Sequence, residues 1–127
     1  MKVEDRFSLD GVTITVRNTM RQEIRWEAML TAFPIGDKDG PEAYSRTIFF
    51  YANAYTFAIK GAGLKWRPSE TLDSETVEAS YQAFLDAVPR VLGDMWLDKA
   101  HALKEPEANL VERPDDTLTA EQANDPN

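Results

Sequence analysis

Cysteine is absent from this chain of 127 residues, histidine occurs once, and basic residues are outnumbered, 14 against 22 acids. Each shortage excludes something. Without cysteine there is no disulfide framework, no thiolate chemistry, no zinc finger and no iron–sulfur cluster. A net charge of −8 and a pI near 4.6 argue against a general nucleic-acid binder, which needs a cationic face for phosphates. The first residues, Met1-Lys-Val-Glu-Asp-Arg, are charged and no apolar signal core follows them. The most apolar segment, 41–60, is too short and too interrupted for a membrane span, which needs about 20 apolar residues. No internal repeat is visible. What is present is hydrophobic content of 43% with 10% aromatic residues, enough for one domain with its own core.

The negative charge is concentrated at one end. Residues 105–127 hold seven acids and one base, Arg113, a net of −6, whereas residues 1–104 are close to neutral. This stretch also carries Pro106, Pro114 and Pro126 and no aromatic residue. It cannot bury enough apolar surface to offset its ordering entropy, so the expectation is a globular body over 1–104 and an acidic, disordered tail over 105–127.

Within the body, residues 5–16 read as a β-hairpin around Asp10-Gly11, a dipeptide suited to a type I′ turn. A two-residue loop sets Leu9 opposite Val12 and Phe7 opposite Ile14, which gathers Phe7, Leu9, Val12, Ile14 and Val16 on one apolar face. Thr19 and Gln22 form a capping-box pattern that starts a first helix over 19–33, with Met20, Ile24, Trp26, Met29, Leu30 and Phe33 as its apolar face. Pro34 and Gly36 end it and residues 37–40 form a loop.

A second helix is expected over 41–60, opened by Pro41 and lined by Tyr44, Ile48, Tyr51, Ala52, Tyr55 and Ile59, with Phe50, Ala54 and Phe57 as a second apolar row. A helix apolar on most sides is either central or shared with another chain, which leaves a homo-oligomer open. Its aromatic richness leaves a strand reading open too. After Gly61 and Gly63, a third helix over 74–88 is capped by Asp73 or Ser74 and buries Val77, Tyr81, Phe84, Leu85 and Val88. Pro89 marks a kink or a new first turn for a fourth helix over 89–104. The class is α+β, mainly α, with the hairpin packed on about four helices.

Candidate chemistry is sparse. Asp94, Asp98, His101 and Glu105 recur on one helical face, but a single histidine without ligands from another element reads as solvated surface, and no metal or other cofactor is expected. Gly61-Ala-Gly63-Leu-Lys65-Trp66 lacks the third glycine of a dinucleotide loop. Lys60, Lys65 and Arg67 around Trp66 read as snorkelling cations beside a partly buried ring. Arg17, Arg21 and Arg25 share a stripe with Glu23 and Glu27 nearby and read as an exposed mixed-charge face. No serine lies in a nucleophile-elbow context and no carboxylate pair is singled out, so catalysis is not expected.

The segment Ala83-Phe-Leu-Asp-Ala-Val-Pro89, followed by Asp94-Met-Trp96-Leu-Asp-Lys-Ala100, resembles tail assembly chaperones of long-tailed (siphovirus-type) phages and prophages. In that family a helix ends near a proline, and a tryptophan-bearing helix precedes a proline- and acid-rich tail. Asp10-Gly-Val-Thr-Ile-Thr-Val-Arg17, leading into Thr19-Met-Arg21, is similar to its short strands and basic helix start. The resemblance implies a non-enzymatic cytoplasmic protein that binds the tape measure protein, and tail tube subunits as a second client, before tail polymerisation. It brings no residue-level motif. Partner contacts are therefore expected, on physical grounds, at the surplus aromatics Phe50, Phe57, Trp66 and Trp96. The competing class is an acidic inhibitor or adaptor of the antitoxin or immunity type, whose tail folds on a basic protein partner.

Overall fold

The computed structural model describes residues 2–33 and 40–105. Asp10 and Gly11 both take positive φ (51° and 81°), as a type I′ turn requires, and join β1 (Glu4–Leu9) to β2 (Val12–Arg17). The pairing is Leu9 with Val12, Phe7 with Ile14 and Asp5 with Val16, which is the register the loop length demands. Phe7, Val12, Ile14 and Val16 are buried, so the apolar face of the hairpin is the face that meets the helices. The remaining elements are α1 (Met20–Ala32), α2 (Pro41–Tyr55), β3 (Thr56–Lys60), α3 (Ser74–Ala87) and α4 (Arg90–Lys104). The architecture is α+β, mainly α: among the described residues four helices cover a three-stranded antiparallel sheet of order β1-β2-β3.

The second helix stops five residues earlier than its periodicity suggests. Thr56–Lys60 leave it and pair with β2, Ile14 opposite Ile59 and Thr13 opposite Lys60. The β-branched and aromatic residues there fit a strand, and the unpaired edge of β2 supplies the hydrogen bonds that a helix end would leave open. Gly61 then turns at φ +115°. An added Cβ would collide with the Gly11 carbonyl oxygen, so the two turns pack backbone against backbone.

α2 is the central helix. Every residue from Ile48 to Tyr55 is buried, and it packs against α1, α3, α4 and β3. At about 1.5–3 kcal/mol per fully buried large apolar side chain, this run is a main source of stability. The first helix faces inward differently from expectation. Gln22, Met29 and Phe33 are buried, whereas Met20, Ile24 and Leu30 are exposed. The inner face is selected by what α2 offers, so Trp26 lies against Phe50, Tyr51 and Tyr55. On α3, likewise, Leu85 is exposed while Val77, Tyr81 and Phe84 are buried.

Asp73 caps α3 by accepting from the Thr76 N–H at 3.0 Å and the Thr76 hydroxyl at 2.9 Å. Val88, pushed to extended backbone by the following proline, ends α3, and Pro89 is the residue before α4, so two separate helices meet at a corner. The expected helix stop at Pro34 and Gly36 and the expected acidic tail from 106 onward lie outside the described residues.

Candidate functional site

Three of the four aromatics expected at a partner surface are core residues. Phe50 is fully buried, edge-on to Trp26 and stacked with Phe33 at 5.8 Å. Trp66 is buried against Phe84 and Trp96, and its indole N–H donates to the Ser80 carbonyl and hydroxyl at 3.2 and 3.1 Å. Trp96 is fully buried and donates to the Thr56 hydroxyl at 2.7 Å. Each indole N–H therefore has a partner inside the domain, and these rings are unavailable to a client while the domain is folded. The cations Lys60, Lys65 and Arg67 accordingly have no exposed ring to interleave with at Trp66.

Phe57 is the exception, at 53% exposure. The pairing of β2 with β3 passes from Thr15–Ala58 directly to Val16–Thr56, so Phe57 is the extra residue of a β-bulge. A bulge re-aims the side chain it inserts, and here it turns Phe57 out of the core face. The Arg17 guanidinium lies over its ring, 3.5 Å from the centroid.

Phe57 lies on one wall of a groove of about 630 Å³. Its walls are the end of β2, the first turns of α1, the strand β3 and residues 67–70, and four arginines, Arg17, Arg21, Arg25 and Arg67, line it against one acid, Glu70. Arg25 donates to the carbonyls of Asn53 (2.7 Å) and Ser69 (2.6 Å), while Ser69 N–H donates to the fully buried Asn53 side chain at 2.8 Å. This closes one of the carbonyls that the early end of α2 leaves without a helical partner. Burial, then the neighbouring Arg21 charge, depresses the Arg25 pKa, with Glu70 opposing. Arg67 donates to the Leu64 and Trp66 carbonyls at 2.6 and 2.9 Å. Arg17 alone of the four is bridged to a carboxylate, Glu4, at 2.6 Å among the described residues. Glu23, which shares α1 with Arg21 and Arg25, is turned away: it accepts from Tyr55 at 2.9 Å and pairs with Lys104 at 3.2 Å. The arginine stripe is thus not neutralised by its own helix. The arrangement offers a carboxylate positive charge, and among the described residues Arg21 alone of the four makes no side-chain hydrogen bond or ion pair.

A second depression, about 520 Å³, shares no lining residue with the first. It opens where α3 and α4 meet the start of α2, and Pro41, Tyr44, Ile48, Leu85, Val88 and Pro89 give it an apolar lining. The Val88–Pro89 corner separates the two helices, and Gly93 of α4 faces Ile48 of α2. The Tyr44 ring is held at the rim by a 2.7 Å hydrogen bond from its hydroxyl to Asp94, which also raises the tyrosine pKa, while Arg90 lies 5.4 Å from its centroid. Leu85 and Tyr44 are 45% and 39% exposed. Sequence periodicity assigned Leu85 to the core. Its adjacency to Phe84, which widens the apolar face beyond one row, was the signal for a surface role.

The polar face of α4 gathers no metal site: His101 pairs with Glu105 at 3.4 Å, and among the described residues no three potential ligands cluster. No helix among the described residues is long and apolar enough to cross a membrane. No protein-family model, curated protein or solved structure matches the chain.

Proposed function

We propose that the chain is a non-enzymatic tail assembly chaperone of the type carried by long-tailed phages and prophages. It acts in the host cytoplasm and holds the tape measure protein, with tail tube subunits as a second client. The observation that carries this reading is the apolar cleft between α2 and the α3–α4 corner, whose rim residues Tyr44 and Leu85 remain exposed. A cleft of this shape takes an apolar ridge of a partner helix, the recognition mode that a long helical client presents. The resemblance of residues 83–100 to that family falls on the same corner. Recognition there depends on shape and apolar contact, which suits a holder that must release its client at polymerisation.

The test is co-expression of the full chain with the long helical protein encoded nearest to it, followed by co-purification at low salt. The wild-type chain should retain the client. Leu85→Glu, a change at a half-exposed position, should abolish retention while shifting the thermal midpoint little. Absence of retention by the wild type, or undiminished retention by Leu85→Glu, refutes the reading.

A further inference from the structure

We propose that the arginine groove is the docking site of the chain's own acidic C-terminal segment, residues 106–127, which adds as an extended strand along the outer edge of β3. The argument starts from the edge. Among the described residues β3 pairs only with β2, so its other side presents unpaired backbone donors and acceptors to the groove. An extended peptide that adds there gains main-chain hydrogen bonds, while the flanking side chains set what it must carry.

Those side chains call for carboxylates. Arg21, Arg25 and Arg67 have no ion-pair partner among the described residues, and Glu70 is the only acid in the lining. Arg21 and Arg25 repel each other beside the groove, opposed only by Glu70, and a carboxylate segment relieves that repulsion. The complementary segment lies on the same chain. Residues 106–127 contain Glu107, Glu112, Asp115, Asp116, Glu121 and Asp125 against Arg113, a net of 1 − 6 = −5.

Position makes the match intramolecular. The last turn of α4 is fastened to the start of α1: Asn18 donates to the Leu103 carbonyl at 2.8 Å, and Lys104 pairs with Glu23 at 3.2 Å. Asn18 lies between the lining residues Arg17 and Thr19, and Glu23 follows the lining residue Gln22 but points to the opposite side of α1. The segment therefore leaves the fold at the turn of α1 whose other side lines the groove. At about 3.3 Å per extended residue, even 106–116 spans about 36 Å, more than enough to lie along a five-residue strand. Tethering raises the local concentration of the segment to the millimolar range, so modest affinity suffices to occupy the groove. The docking does not depend on the chaperone reading, because the client cleft is lined by other residues.

The chain has no cysteine, so Ala120→Cys gives a single attachment point for a nitroxide label on the full-length protein. In 15N-labelled protein, the amides of Phe57, Ala58 and Ile59 should lose at least half their intensity at low salt. They should recover at about 1 M salt, where the screening length is about 3 Å. Arg21→Glu should remove the effect. So should the tail variant Glu112→Gln/Asp115→Asn/Asp116→Asn, which leaves the groove intact. Uniform broadening over the whole body, no broadening at β3, or broadening unchanged in both variants overturns the proposal. A mixture of 15N-labelled protein lacking the nitroxide with unlabelled protein carrying it identifies the occupant. Equal broadening in that mixture assigns the groove to the tail of a second copy and overturns intramolecular docking.

Discussion

Gly61 and Gly93 show how differently the same residue type is used. Gly61 combines a φ of +115° with a backbone contact against Gly11 that leaves no room for a Cβ. Gly61→Ala should therefore lose about 2–4 kcal/mol, the sum of left-handed strain and overpacking, and read out as a lower urea midpoint. Gly93 lies inside α4 at helical φ, and an added Cβ would meet Ile48 at 3.5 Å, an ordinary contact. Gly93→Ala should thus gain up to about 1 kcal/mol of helix propensity and raise the same midpoint. A destabilised Gly93→Ala would show that the close approach of α4 to Ile48 tolerates no methyl group.

At the scale of elements, the junction of α1, α2 and the 67–70 segment is held by one buried amide. Asn53 is fully buried, accepts from Ser69 N–H and lies 3.4 Å from the Met29 sulfur, while Arg25 bridges the carbonyls of Asn53 and Ser69. Asn53→Leu keeps the volume but strands the Ser69 N–H, and should cost about 1–3 kcal/mol in equilibrium unfolding. Little of this junction was legible in the sequence, where Asn53 is one polar residue within the otherwise largely apolar helix expected over 41–60. The hairpin register was legible, as were the α3 cap at Asp73 or Ser74 and an interruption at Pro89, because each is set by a few adjacent residues. The end of α2 was not, since helical periodicity runs on through Ile59 and only the waiting edge of β2 converts 56–60 into a strand. The groove was half legible. Arg17, Arg21 and Arg25 stand four apart in sequence, but their convergence with Arg67 is tertiary, as is the burial of Phe50, Trp66 and Trp96.

Across the whole molecule, the tyrosines link stability to alkaline pH. Burial, then the Glu105 carboxylate, raises the Tyr51 pKa, and burial, then the hydrogen bond to Glu23, raises that of Tyr55. A folded-state pKa above the usual value of about 10 contributes stability that is fully present below that pH and is lost as pH rises beyond it. Phenolate absorbance at 295 nm should therefore lag behind free tyrosine. The signal of these two residues should then emerge together with loss of helical circular dichroism. Ordinary titration of all four tyrosines with the helices intact would contradict this.

Trp96 has a further consequence, one of timing. Its ring meets Phe7, Trp66 and Phe84 at centroid distances of 5.5–5.9 Å and its N–H holds the first residue of β3. The hairpin leaves the ribosome before α4, and the Trp96 ring that packs on Phe7 arrives some ninety residues later. Contacts of such sequence separation form late. The nascent chain must therefore carry its apolar hairpin unsheltered until α4 has emerged, and a product that stops short of that helix remains open to degradation.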